Sequence, residues 1–529
     1  MKRMTYFVMA LALVLGLAQC KKEKLETPQN EGNSVMITLD VKGDNNAKVD
    51  VIPPDVTFGT GDEIVVACNG HYVGTLKHNG TKFSGLIENA TPGEHLYFYF
   101  FGNVSPQYFG QNQSNCTVYI GEQTGELPVI SMGRSKETVP SVASGSHYTA
   151  ILQNKCSLMK FNVTTPSTAP ICISGMNNFV TVRFNRSGDD GFIDGFKYSQ
   201  VYDGVIKMHG VTTGNTETWA IVLPQASVAA RDAYTENGYI GTRPAIEGGI
   251  GSNQYYSAGF DITMAPFDPV VIPLTFEAKA AGTTVTFKSV NAPNISSPLE
   301  ISINGGEWTT YSVNTPITLD SVGDKVMFRG TNAQYATSPS NYHNFSIIDS
   351  CYVYGNIMSL INATNYATTT SLGNSEYALA CLFQGCTGLY THTVKTLALP
   401  ATELTEYCYS QMFSGCTHLT VAPELPTGED DNGVLQEGCY QGMFEGCTSL
   451  TASPELPAKA LVRGCYASMF SGCSNLSHVT CYAESGINSL NSTSSWLSGV
   501  SEVGLFTKAV GVSWPRGDNG IPLYWSVEP

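Results

Sequence analysis

The chain has 529 residues, more than a single hydrophobic core holds, so several domains are expected. Charged residues make up 14% and hydrophobic residues 42%, with 52 glycines, a mix that suits β-rich, turn-rich modules better than long helices. With 28 basic against 44 acidic residues the net charge is -16, which removes the cationic footprint that a nucleic acid backbone requires.

Residues 1–19 read as an export signal: Lys2 and Arg3 precede an apolar run from Tyr6 to Leu17, which is shorter than the roughly 20 residues that span a bilayer. Leu17-Ala18-Gln19-Cys20 resembles a lipobox, with Gln19 where a small residue is usual. The resemblance implies a lipid on Cys20 and an outer-membrane, cell-surface location. An ordinary secretory signal cut nearby is the other reading. Residues 20–34, with KKEKLE, Pro28 and Gly32, are polar and rich in breakers, as a flexible tether is.

Short β-type runs follow. Ile64 to Ala67 and Tyr72 to Leu76 are separated by Asn69-Gly70, and Asn79-Gly80 precedes Phe83, which predicts two hairpins in succession. LYFYFF, Leu96 to Phe101, reads as a buried strand. Residues 35–132 are expected to form a first β-sandwich. CSLMKFNV, VTVRF and WAIVLPQ place a second in 133–267, although Ala229 to Ser257 is weakly patterned. Residues 268–350, with PLTFEA, TTVTF, LEISI, Asn304-Gly305-Gly306 and KVMFRG, predict a small antiparallel β module.

FGTGDEIVV, YVGTL, FSG, LYFYF and WAIVLPQ resemble the tandem β-sandwiches of Bacteroidetes-type fimbrillin-like lipoproteins. That resemblance spans some 230 residues and implies a surface or fimbria-associated protein. The region after the sandwiches departs from a pilin.

In residues 351–529 four segments align: LFQGCTGL, MFSGCTHL, MFEGCTSL and MFSGCSNL, with Phe383, Phe413, Phe444 and Phe470 in register. Phe413 to Pro426 and Phe444 to Pro457 each take 13 residues, whereas Phe383 to Pro400 takes 17, so the first unit carries four extra residues near YTHTVKT. A further five lie around GEDDNG, and the base period is 26. WLSGV, Trp496 to Val500, is a degenerate last copy and terminal cap. In CYxxMF, Cys408 and Met412, or Tyr409 and Phe413, are four apart, which predicts a short helix, and LTxxPEL predicts a strand. The recurrent GCTxL, APELP and CYxxMF resemble the BspA-like leucine-rich repeats, which implies adhesion or binding of host or matrix protein. The expected fold is thus tandem all-β sandwiches, a small β module and an α/β leucine-rich-repeat solenoid.

Seven of the fifteen cysteines, Cys386, Cys408, Cys416, Cys439, Cys447, Cys465 and Cys473, fill two repeat positions. Buried thiols, bridges within pairs such as Cys408 and Cys416, and a metal or redox role are the three readings; no CxxC or regularly placed His supports the last. No cofactor motif and no catalytic motif is present. A glycosidase needs only two carboxylates, and Asp189 with Asp190, or Glu429 with Asp430 and Asp431, read as solvated turns. Trp308, Trp496 and Trp514 leave room for glycan stacking. A non-catalytic binding module or adhesin acting through the repeats ranks first, with a fimbria-associated assembly or anchor protein, or glycan capture, as alternatives.

Overall fold

The computed structural model describes residues 34–43, 58 and 60–529 less short internal segments, chiefly 103–107, 110–114, 125–130, 185–195, 199–203 and 427–434. The signal, Cys20, the tether up to residue 33 and the acidic turns at Asp189–Asp190 and Glu429–Asp431 lie outside the described residues.

The first unit is a closed barrel of seven strands. Its strands Glu63–Cys68 and His71–His78 are joined by Asn69 and Gly70, both at positive φ, as a tight hairpin with the right strand twist requires. The barrel closes through Val35–Gly43, which pairs parallel with Ser146–Asn154 and antiparallel with Phe83–Ile87. Glu63–Cys68 and His95–Phe100 are buried on both faces, which explains their nearly continuous apolar sequence. Ile64, Val66, Phe98 and Phe100 face the barrel interior, while Val65, Ala67, Tyr97 and Tyr99 pack outward against the second unit. The expected first sandwich is thus a closed barrel, and the expected 132/133 division falls inside one of its strands, Ser131–Thr138, with Ser146–Asn154 a barrel strand as well. Asn115–Tyr119 pairs with Phe179–Arg183 in the second unit, after which Ser131–Thr138 returns to the barrel. The second unit's core lies between the sheet containing Ser157–Thr164 and Glu217–Val222 and the sheet containing Ile171–Ser174 and Arg231–Thr235.

From Leu274 to Trp525 a single continuous core joins the third β module to the repeats. Here the structure corrects the expected α/β solenoid. The described residues contain strands and short 3-10 turns but no α-helix, so the helix-and-strand unit expected of a BspA-like leucine-rich repeat is not formed. The backbone shows why. Within the second repeat Tyr407, Gln411 and Gly415 all have positive φ, at 55°, 54° and 77°, and the same three positions recur in the third as Gly438, Gly442 and Gly446 at 58°, 60° and 71°. A left-handed residue every fourth position interrupts a right-handed helix and replaces it with a chain of tight turns.

These turns satisfy their polar groups in two alternating ways. Cys408, Ser410, Met412 and Ser414 donate their N–H groups three residues back, to Thr405, Tyr407, Tyr409 and Gln411. The residues between them, Tyr409, Gln411, Phe413 and Gly415, donate across to the carbonyls of Cys439, Gln441, Met443 and Glu445 in the next unit, at 2.7–3.0 Å. Each rung is thereby stitched to its neighbour through the backbone, and only stacking makes it stable. A methyl group built on Gly438 would stand 2.2 Å from the Tyr407 ring, so glycine is required there on both conformational and steric grounds. On another side of the array Ala452–Leu456, His478–Cys481, Leu505–Lys508 and Ser526–Glu528 form a parallel sheet, one strand per rung.

Both ends of the stack are closed. At the first rung Tyr335 and Phe345 of the third β module donate backbone N–H groups to Ala378 and Leu382, and the Asn344 side chain donates to the Gln384 carbonyl. At the last, Ser495 N–H donates to Asn519 Oδ1 and Trp496 Nε1 to the Gly520 carbonyl, both within 2.8 Å. The third module is thus the lid of the array as well as a sheet in its own right.

Candidate binding surface on the repeat array

The predicted repeat residues assemble into columns. Phe383, Phe413, Phe444 and Phe470 stack with centroids 5.3, 5.6 and 5.6 Å apart and planes within 9° of parallel. A second column runs through Tyr409, Tyr440, Tyr466 and Trp496 to Trp514. Because each ring repeats at the same place in its rung, parallel stacking follows from the spacing of the rungs. All these rings are buried, so they build the scaffold and leave contact with a ligand to other residues.

The repeat cysteines stand beside the rings. Cys416, Cys447 and Cys473 donate their thiols to the carbonyls of Phe383, Phe413 and Phe444, the phenylalanines of the preceding rung, at 2.9–3.1 Å. Cys386, Cys408, Cys439 and Cys465 are equally buried, and all fourteen described cysteines are free thiols. Burial pushes Cys386, Cys408 and Cys465 up to about 12 and Cys439 well above its ordinary value, so the nucleophilic thiolate is suppressed throughout the array.

Of the three tryptophans set aside for glycan stacking, Trp496 and Trp514 lie inside the terminal cap, stacked on each other at 5.4 Å. The Trp308 ring is covered by the Arg329 guanidinium at 4.1 Å, and Arg329 Nε donates to Glu300 at 2.8 Å.

The outward surface changes character along the stack. Glu376, Glu406 and Glu437 occupy one position of the first three rungs, each followed by a residue at positive φ, and Arg463 continues that column and faces Glu437 at 3.6 Å. The terminal rungs expose several large apolar side chains among polar ones such as Glu502, Arg516 and Asp518. Leu490, Val503, Val510, Leu523 and Tyr524 are 59–83% exposed. Val503 and Tyr524 each lie two residues before the paired parallel strands Leu505–Lys508 and Ser526–Glu528. Large apolar side chains exposed toward the end of the stack make this a candidate contact surface. Sequence patterning missed it because these residues flank or follow the degenerate last copy, outside the repeat frame.

One charged cluster is buried. The Lys395 ammonium lies between the carboxylates of Asp232, from the second unit, and Glu277, from the third module, the latter at 2.5 Å. Tyr354 donates its hydroxyl to Glu277 at 2.8 Å and Lys325 stands 3.5 Å away. Burial alone raises the Glu277 pKa, but Lys395 and Lys325 outweigh it and hold the carboxyl below its usual range. Burial likewise works to discharge Lys395, and the two carboxylates reverse that effect. The neighbouring His392 is driven down to about 4 by burial and by Lys395. The ammonium fills the space between this pair of carboxylates, so neither has the free acid or base role that hydrolysis asks of such a pair. The cluster was legible only as a hint: both His392 and Lys395 sit in YTHTVKT, near which the first repeat carries its four extra residues.

No protein-family model and no curated protein matches the chain. Among solved structures it is similar to a protein from Bacteroides uniformis ascribed to cell adhesion, at 11% identity and a TM-score of 0.26, covering 46% of this chain and 99% of that one. It is similar to the fimbrial anchor protein Mfa2 from Porphyromonas gingivalis at 10% identity and a TM-score of 0.24, covering 38% and 78%. A fimbrial assembly protein from Parabacteroides distasonis aligns at 11% identity and a TM-score of 0.21, covering 45% and 85%.

Proposed function

We propose that the chain is an exported, surface-tethered protein of the adhesion or fimbria-associated kind, and that it works by binding and carries out no catalysis. The observation that carries the reading is the apolar tip: a stack of rungs tied together through backbone and aromatic columns, ending in Val503, Leu523 and Tyr524 held out to solvent. Large apolar side chains on a rigid frame lose little entropy on contact, which is what an interaction surface exploits. The export signal and lipobox-like Cys20 support a location where such a tip meets other surfaces, and the fimbrillin-like motifs of the first two units support the same setting. The ligand class that fits is a protein surface with an apolar patch.

The test is binding of the purified chain to plates coated with fibronectin, collagen or mucin. The triple change Val503→Ser, Leu523→Ser and Tyr524→Ser is expected to lower the amount bound to whichever coat retains the native chain by tenfold or more, with an unchanged unfolding curve. Equal binding by native and triple-substituted chains would remove the tip from the account.

A further inference from the structure

The four extra residues of the first repeat have no counterpart in the second and third units, where 13 residues separate the phenylalanine from the proline. In the first unit the longer path swings out from the stack as Tyr390 to Thr396 and reaches the second β unit. His392 shapes this excursion, its Nδ1 accepting the backbone N–H groups of Val394 and Lys395 at 3.0 Å. Three side chains then cross to the other unit. Val394 enters a small apolar cluster with Cys172 and Tyr234, the His392 ring meets the Tyr234 ring edge-on at 5.5 Å, and Lys395 pairs with Asp232. On the other flank Arg231 donates to the Val322 carbonyl.

We propose that this insertion is a latch which locks the second β unit to the repeat array, so that barrel, second unit and array behave as one stiff arm behind the apolar tip. The asymmetry of the charged cluster supports this. Glu277 and Lys395 both belong to the body that shares the array's core, whereas Asp232 belongs to the second unit, so among the described residues the Lys395–Asp232 pair is the ionic bond that crosses the joint. Its Lys395 side chain is only 4% exposed, so screening by salt does not loosen it as it would a surface pair. The proposal concerns the geometry of the arm and stands apart from what the tip binds.

The joint is tested on the full mature chain carrying spin labels at Glu247→Cys, in the second unit, and Glu455→Cys, in the array; both sites are exposed, while the described native thiols are buried. The native background is expected to give one narrow distance distribution. Asp232→Ala leaves Lys395 paired with Glu277 and cuts only the crossing bond, and it is expected to at least double the width of that distribution. Asp232→Asn, which keeps the shape of the side chain and removes its charge, is expected to broaden it less. Both variants must retain the native far-UV spectrum; should Asp232→Ala lose it, the Asn variant decides. Native width and mean distance in a folded Asp232 variant would overturn the latch.

Discussion

Replacing Phe444 by alanine will cost the array about 3–5 kcal/mol, the range for deleting a fully buried phenylalanine when the site cannot collapse. Phe444 is buried and stacked on both sides, on Phe413 and on Phe470, each at 5.6 Å. Neither neighbour is able to move into the gap, because the rungs they belong to are pinned by backbone hydrogen bonds from Phe413 to Met443 and from Phe444 to Met469. In a stack whose stability comes from nearest neighbours, weakening a central interface separates the rungs on either side of it. The effect is measured by urea unfolding followed through tryptophan emission. Trp308, Trp496, Trp514 and Trp525, four of the five tryptophans, belong to the array and its lid, so this signal reports on the part of the chain that the substitution touches. A midpoint within experimental error of the native one would show that the column is decorative.

Lys395→Ala should be of similar size for a different reason. It leaves the carboxylates of Asp232 and Glu277, only 17% and 10% exposed, facing each other without the ammonium between them, and breaking a buried ion pair from one side costs about 3–5 kcal/mol. The dependence on pH identifies the mechanism. In the native chain Glu277 has a lowered pKa, so its contribution is present above the unfolded carboxylate value and is lost as pH falls through the folded one. Without Lys395, burial is opposed only by Lys325 and the Tyr354 hydroxyl, so the folded pKa of Glu277 moves up from its native position. The variant's carboxylate then binds its proton at higher pH than the native one, and the deficit shrinks as the medium is acidified from neutral toward the ordinary carboxylate pKa. Unfolding curves for both proteins at the two ends of that range measure this; a deficit that is constant or grows on acidification contradicts the assignment of the cost to unpaired carboxylates.

The repeat register was fully legible in the sequence, and so were the hairpins at Asn69-Gly70 and Asn304-Gly305, because positive-φ residues and recurring rings are local signals. The secondary structure of the repeat was misread for an instructive reason. Apolar residues four apart, such as Tyr409 and Phe413, suit one face of a helix and suit a chain of four-residue turns equally well. The discriminating signal was the glycine pattern in GCYQGMFEG, where Gly438, Gly442 and Gly446 are also four apart. Three glycines at that interval weaken a helix and suit a left-handed residue in every turn. Barrel closure by Val35–Gly43 and the Asp232–Lys395–Glu277 cluster join residues far apart in sequence, and no local pattern encodes such pairings. The tip escaped notice because it lies where the repeat decays.

The central claim is that the array is displayed outside the cell with its tip free to bind. Mild protease treatment of intact cells, followed by identification of the released peptides, tests it most directly. The account predicts that peptides from residues 377–526 are released before lysis, the earliest cuts falling in exposed segments. Protection of those residues until the cells are broken would contradict display and place the array on the periplasmic side.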